Sequence, residues 1–256
     1  MKHSFLDNYS GISSVIHGLD PRVKIIGLFF LTVICVSTPA SSYFSFGAYF
    51  VVLFGVLLLS KLPFHHVFRR SMVVIPFVLM VAVFIPFLKK DVIGGGYNLG
   101  IGGLTVSNSG LMVLWNVVVK SYIGVLCMIL LSSTVTFPKL LKGFEDLGLP
   151  KLFTTIASFM YRYAFIITDE AQRMKRARDS RCFGGKWIWH SKVIGHMIGT
   201  LFIRSYERGE RVYVAMLSRG FDGDLKGKKG VQRLRPGDYI FLSVLILIVT
   251  GVRLLV

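Results

Sequence analysis

Five apolar runs, each 16 to 21 residues long, punctuate the chain: Ile25 to Ala40, Tyr43 to Leu59, Met72 to Leu88, Leu111 to Leu131 and Tyr239 to Leu255. A helix rises about 1.5 Å per residue, so runs of this length approach the roughly 30 Å hydrocarbon core of a bilayer. Within that core every backbone N–H and C=O must be satisfied inside the protein, which helices do within their own segment. The runs therefore predict an all-α, polytopic membrane protein with about five transmembrane helices. Ile25 to Ala40 is the shortest, and Lys24 beside it extends its reach by snorkelling. With 53% hydrophobic residues and a mean hydropathy of +0.63, the chain also has more apolar surface than one soluble core of 256 residues would bury.

Charge sets the orientation. The formal charge of +17 would suggest nucleic acid in a soluble protein, but in a polytopic one it marks the cytoplasmic side, and no nucleic-acid partner is expected. Residues 132 to 236 carry 20 Lys/Arg against 9 Asp/Glu, a net +11 that supplies most of the excess and assigns the block to the cytoplasm. Lys61 to Arg70 reads as a basic cytoplasmic loop. Lys89-Lys90-Asp91, with Gly94-Gly95-Gly96 and the polar stretch to Asn108, reads as an outer loop. Asp20 is positioned to cap the first helix, with Pro21 in its first turn. Pro76 and Pro86 predict a kink or helix ends in the third span. Lys120 and Asn116 fall near the middle of the fourth, where an ionisable group faces the protein interior or another subunit.

Within the basic block Leu152 to Thr168 is apolar enough to suggest a further span. Arg162 interrupts it, however, and basic clusters on both sides would place one of them outside. It reads instead as a helix near the inner membrane surface that continues into the basic segment. Val193 to Ile203 is too short to cross. The expected organisation is an N-terminal segment with four spans (1–131), a cytoplasmic helical platform (132–236) and a final span (237–256).

Catalytic and metal-binding patterns are not evident. The three cysteines, Cys35, Cys127 and Cys182, imply no disulfide framework. A cleavable signal peptide is not expected, since Asp20-Pro21-Arg22 precedes the first apolar run and no small-residue cleavage site follows it. His65 and His66 are adjacent rather than at the i, i+4 spacing by which one helix face holds a metal. The glycines at 94 to 96 lack the Gly-Lys-Ser/Thr that completes a phosphate loop. No catalytic residue, metal ligand or cofactor is therefore expected in this chain, and an energy source would have to come from partners.

The basic block does contain a pattern written twice. Asp169 to Phe183 aligns with Glu207 to Phe221 so that Arg173 matches Arg211, Ala177 matches Ala215, Ser180-Arg181 matches Ser218-Arg219 and Phe183 matches Phe221. Both segments are rich in helix formers, and Gly184-Gly185 and Gly220 are natural stops. Arg181 and Arg219 should thus sit near helix C-termini, where the helix dipole favours a cation and an arginine can enter a pocket on another protein.

These two motifs, together with His17-Gly18-Leu19-Asp20-Pro21-Arg22-Val23-Lys24, Phe137-Pro138-Lys139-Leu140-Leu141 and Leu147-Gly148-Leu149-Pro150, resemble the T component of energy-coupling-factor (ECF) transporters. The similarity covers nearly the whole chain, and the N-terminal run is most similar to the cobalt/nickel branch called CbiQ. The resemblance implies a cell-membrane subunit of an ABC-type importer that binds two cytoplasmic ATPases, which hold the ATP, and a membrane-embedded substrate-binding S component. It implies an ATPase-docking site at Ser180, Arg181, Cys182, Ser218, Arg219 and Gly220. Cys182 departs from the family's usual Ala-Arg-Gly by replacing the glycine of the first copy. Cobalt or nickel uptake is the expected function, with a vitamin-type ECF importer as the alternative. Two other classes compete. One is an intramembrane enzyme in which Lys120 and cytoplasmic arginines hold a phosphorylated lipid. The other is a basic membrane scaffold that binds anionic lipid or nucleic acid.

Overall fold

A computed structural model describes residues 14–39, 42–84, 97–98, 105–106, 108–181, 187–222 and 234–254. Eight helices lie among them: α1 (Pro21–Ser37), α2 (Tyr43–Ser60), α3 (Phe64–Ala82), α4 (Asn108–Thr134), α5 (Phe137–Asp146), α6 (Lys151–Ser180), α7 (Trp187–Leu217) and α8 (Pro236–Leu254). The stretch expected as an outer loop also contains a two-residue ladder, with Tyr97 opposite Val106 and Asn98 opposite Thr105. The chain forms two compact units, one of Ser4–Gly143 with Gln232–Val256 and one containing Phe144–Val231.

In the first unit α1 packs against α2, α4 and α8. Leu31 and Cys35 of α1, Tyr49 and Leu53 of α2, Ile123 and Leu130 of α4, and Leu245 and Val249 of α8 form its buried core. Phe29, Phe44, Val51, Phe77 and Leu247 point outward and exposed, the surface a bilayer would cover. Three helices are long and apolar enough to cross a membrane: α2, α4 over Gly110–Thr134, and α8. Each of the five runs expected to span contributes a helix to this unit, α1, α2, α3, α4 and α8, and three of those helices satisfy length and composition among the described residues. α1 falls short at 17 residues. α3 falls short because the segment expected to be a basic loop is helical from Phe64, placing His65, His66, Arg69 and Arg70 in its first two turns. The helix also runs through Pro76 to Ala82, while Pro86 lies outside the described residues. Neither α6 nor α7 has the length and composition of a span.

α1 is fixed at both ends by polar groups. Asp20 caps it by accepting from the Arg22 N–H at 2.9 Å, and Pro21 fills the first position, as the sequence predicts. Asp238, 3% exposed, sits in the first turn of α8 and accepts from the backbone N–H of Asp20 at 2.9 Å and of Arg235 at 2.8 Å. Lys24, also 3% exposed, donates to the carbonyls of His17 and Thr134, each at 3.3 Å. The N-terminal motif is thereby tied to the start of α8 and the end of α4. Gly143 of α5 completes this end: a Cβ there would lie 3.1 Å from Ile25 Cδ1 and 3.2 Å from Pro21 Cβ, closer than a packed interior accommodates without shifts.

At the other end Thr38 is extended, as expected before Pro39, and α1 stops. Lys120 donates to the carbonyls of Val36 at 2.9 Å and Thr38 at 2.7 Å, and lies 5.8 Å from the Phe46 ring centre. The lysine placed mid-span by sequence is therefore level with the last turn of α1, where the carbonyl end of the helix attracts a cation. Thr38 Oγ1 further shares a 3.3 Å hydrogen bond with the buried Tyr49 hydroxyl. Asn116 is buried, and its Oδ1 has no partner among the described residues.

Candidate functional site

The second unit is built from the longest helices of the chain. Gly148, at φ +103°, ends the preceding α5 by the αL route. Leu149 N–H reaches Phe144 O and Gly148 N–H reaches Glu145 O, the paired bonds of a Schellman cap. Pro150 then opens α6, one continuous helix of 30 residues from Lys151 to Ser180, as the sequence predicts for the apolar stretch and its basic extension. α7 differs from expectation. Val193 to Ile203 and the second basic segment, separate in the sequence reading, form one helix of 31 residues.

α6 and α7 meet through Glu170. Its carboxylate pairs with Arg204 of α7 and with Arg173 of its own helix at 3.4 Å. Ser180 lies ten residues beyond that junction and Leu217 thirteen beyond Arg204, so the two helix ends are about 15 and 20 Å along their axes from it.

Both ends present the duplicated motif at the expected positions. Ser180 Oγ donates back to the Arg176 carbonyl at 2.9 Å, and Ser218 Oγ to the Ala215 carbonyl at 3.0 Å. Arg181 N–H bonds Arg178 O at 3.1 Å, and Arg219 N–H bonds Met216 O at 3.0 Å. Ser218 thus satisfies one of the carbonyls that the end of α7 leaves open, while Ser180 bonds back to a carbonyl one turn earlier on its own helix, and each arginine follows at the end of its helix.

The two terminations differ in detail. Gly220, at φ +81°, closes α7 with Gly220 N–H to Leu217 O and Phe221 N–H to Met216 O, a second Schellman cap. In the first copy Arg181 itself is the C-cap, at φ −85° and ψ 12°. The helix therefore stops before the Gly184-Gly185 pair that the sequence offers as its stop. Cys182, Gly184 and Gly185 lie outside the described residues.

Ser180, Arg181, Ser218, Arg219 and Gly220 are all exposed. Among the described residues neither Arg181 nor Arg219 has an ion-pair partner, whereas the neighbouring Arg178 is held by Asp179 at 2.7 Å. Two guanidinium groups at the negative ends of two helices can each donate several charge-assisted hydrogen bonds to carboxylates or carbonyls of another protein.

The sequence reading passed over two rows of exposed apolar side chains. Leu152, Ile156 and Met160 run along α6, and Ile194, Ile198, Phe202 and Tyr206 along α7. Their signal is the i, i+4 period. Among the described residues no three His, Cys, Asp or Glu side chains converge as a metal-holding group.

The family profile of CbiQ, cobalt transport protein, matches residues 12–229. The chain is 29% identical over 229 residues to the uncharacterized protein MJ1571 of Methanocaldococcus jannaschii, covering 87% of this chain and 76% of that protein. It is 27% identical over 246 residues to MJ1089 of the same organism, covering 95% and 90%. Against the energy-coupling factor transporter transmembrane protein EcfT of Listeria innocua it is 25% identical over 259 residues, covering 97% and 94%.

Proposed function

The chain belongs to the CbiQ family of cobalt transport proteins, the transmembrane components of ECF transporters, and we propose that it couples two cytoplasmic ATPases to a substrate-binding membrane component. It is a multi-pass protein of the cell membrane. The observation that carries the proposal is the pair of helix ends that carry the same Ser-Arg step, each with an exposed arginine that has no ion-pair partner among the described residues. Arg181 enters a pocket on one ATPase and Arg219 an equivalent pocket on the other. ATP is bound by those partners, and this chain supplies no catalytic residue or cofactor. When the ATPases close they displace the helix ends, and the two rigid helices carry that movement to the membrane. The exposed apolar rows of α6 and α7 suit contact with the membrane component or the bilayer surface.

Cobalt, or the chemically similar nickel, is the proposed cargo; the family description names cobalt. The similarity to EcfT over nearly the whole chain favours a second reading, a T component serving an importer of another cargo such as a vitamin. Co-purification of the ATPases with the chain tests the docking. Arg181→Ala or Arg219→Ala should weaken assembly by about 2 to 5 kcal/mol, the usual effect of truncating a buried charged partner at an interface. Arg→Lys should restore little, because lysine lacks the planar fork. Full recovery of both ATPases with the double alanine variant would reject the proposal.

A further inference from the structure

A groove of about 470 Å³ opens between α2, α3 and α4 in the helical bundle, within the roughly 300–1,000 Å³ range of small-molecule sites. Its walls are Phe50, Phe54, Phe64 and Phe68, all exposed, over a floor of buried leucines that includes Leu57 and Leu126. Phe54 and Phe64 stack at 5.8 Å across the α2–α3 turn. Along α4 the lining runs from Tyr122 to Leu130, about 12 Å at 1.5 Å per residue. That is close to one leaflet, half of the roughly 30 Å hydrocarbon thickness.

The groove has a polar end and an apolar end. His65 lines it at the start of α3; Arg69 follows one turn later on the same face, and Lys61 sits in the left-handed turn just before, at φ 53°. Lys61, His65, Arg69 and Arg70 are exposed, and none has an ion-pair partner among the described residues. This end of the bundle also carries Arg22, Lys24, Lys139 and Lys142, against Asp20 and Asp238, so the positive-inside rule places it at the cytoplasmic face. An apolar slot one leaflet deep, with unpaired cations where headgroups lie, is complementary to a negatively charged lipid. A packed transmembrane helix would instead favour small residues that let backbones approach, and here four phenylalanines form the walls.

We propose that this groove is a binding site for an anionic phospholipid of the cytoplasmic leaflet, one acyl chain lying between the phenylalanines and the phosphate held by Lys61, His65 and Arg69. The site is independent of the arginine tips and of the ATPases. Its occupant anchors α3 to α2 and α4 on the lipid-facing side.

The test is native mass spectrometry of the delipidated full-length chain titrated with phosphatidylglycerol or phosphatidylcholine of equal acyl length, and with inorganic phosphate alone. One phosphatidylglycerol should be retained in preference to phosphatidylcholine, and phosphate alone should not compete. Lys61→Gln with Arg69→Gln, both at exposed positions, should reduce that preference about fivefold per charge removed. Leu126→Phe, which fills the floor, should lower retention of both lipids. The count is repeated on the chain bound to its membrane and ATPase partners, where the lipid should persist. Equal retention of the two lipids, an unchanged preference in the charge variant, or loss of the lipid when the membrane partner binds would each overturn the site, the last by assigning the groove to that partner.

Discussion

The bundle and the platform solve the same problem, holding long helices in place, by opposite means. Along α1 eight residues are buried. Along α6 only Thr154 is, and along the described side chains of α7 none is. In the bundle, two of the charged groups that fix helix ends lie inside, Asp238 on two backbone N–H groups and Lys24 on two carbonyls, and a third, Lys120, holds two more carbonyls from a half-buried position. A buried polar group that is satisfied holds its geometry strongly, because losing a partner strands the other. The platform relies on an exposed ion-pair cluster at Glu170 and on helix length. Such pairs contribute roughly 0–1 kcal/mol. Burial therefore makes the bundle a fixed frame, while the platform keeps its side chains available to partners.

The contrast makes graded predictions. Removing the Asp238 carboxylate strands the Asp20 and Arg235 N–H groups and takes a negative charge away from Lys24. Asp238→Ala should therefore cost about 3 to 5 kcal/mol, the range for breaking a buried charged interaction, read as a large fall in Tm of the detergent-purified chain. A loss under about 1 kcal/mol, the value of a surface pair, would show that the frame is not fixed from this end. Lys120→Met keeps the length of the side chain but removes both donors to the end of α1. It should cost about 1 to 3 kcal/mol, the penalty of unsatisfied acceptors; an unchanged Tm would detach Lys120 from the account. Glu170→Gln in the platform should stay within about 1 kcal/mol. A penalty equal to that of Asp238→Ala would remove the distinction between the two regions.

Much of the bundle was legible in the sequence because apolar length and helix-capping chemistry are local. Asp20, Pro21 and the run after them specify the start of α1 within the segment itself. What was not legible depended on contacts distant in sequence. The basic turns of α3 read as a loop because charge marks a membrane boundary without distinguishing helix from turn. Lys120 lies near the middle of its helix as read, but its partners were not readable, because they are carbonyls at the end of α1, 82 residues earlier at Thr38. In the platform the arginine tips were readable through the duplicated motif, and the Gly220 stop through its lack of a side chain. The single helix through Val193 to Ile203 was missed because an apolar stretch too short to cross a membrane gives no sign of continuing into a basic one. Glu170 as the junction between α6 and α7 was hidden in the same way, since only tertiary structure brings Arg204 to it.

The most direct test of the central claim is photo-crosslinking from the helix ends. A photoreactive residue replaces Ser180, Ser218 or, as a control on the exposed face of α7 two turns before the tip, Arg211, with Arg181 and Arg219 kept, in the chain assembled with its ATPases. The account predicts that positions 180 and 218 each crosslink an ATPase, with both sites together capturing two ATPases per chain, while position 211 captures neither efficiently. Equal capture from all three positions would point to a general basic surface. No capture from 180 or 218 in an assembled, active transporter would contradict docking through the arginine tips.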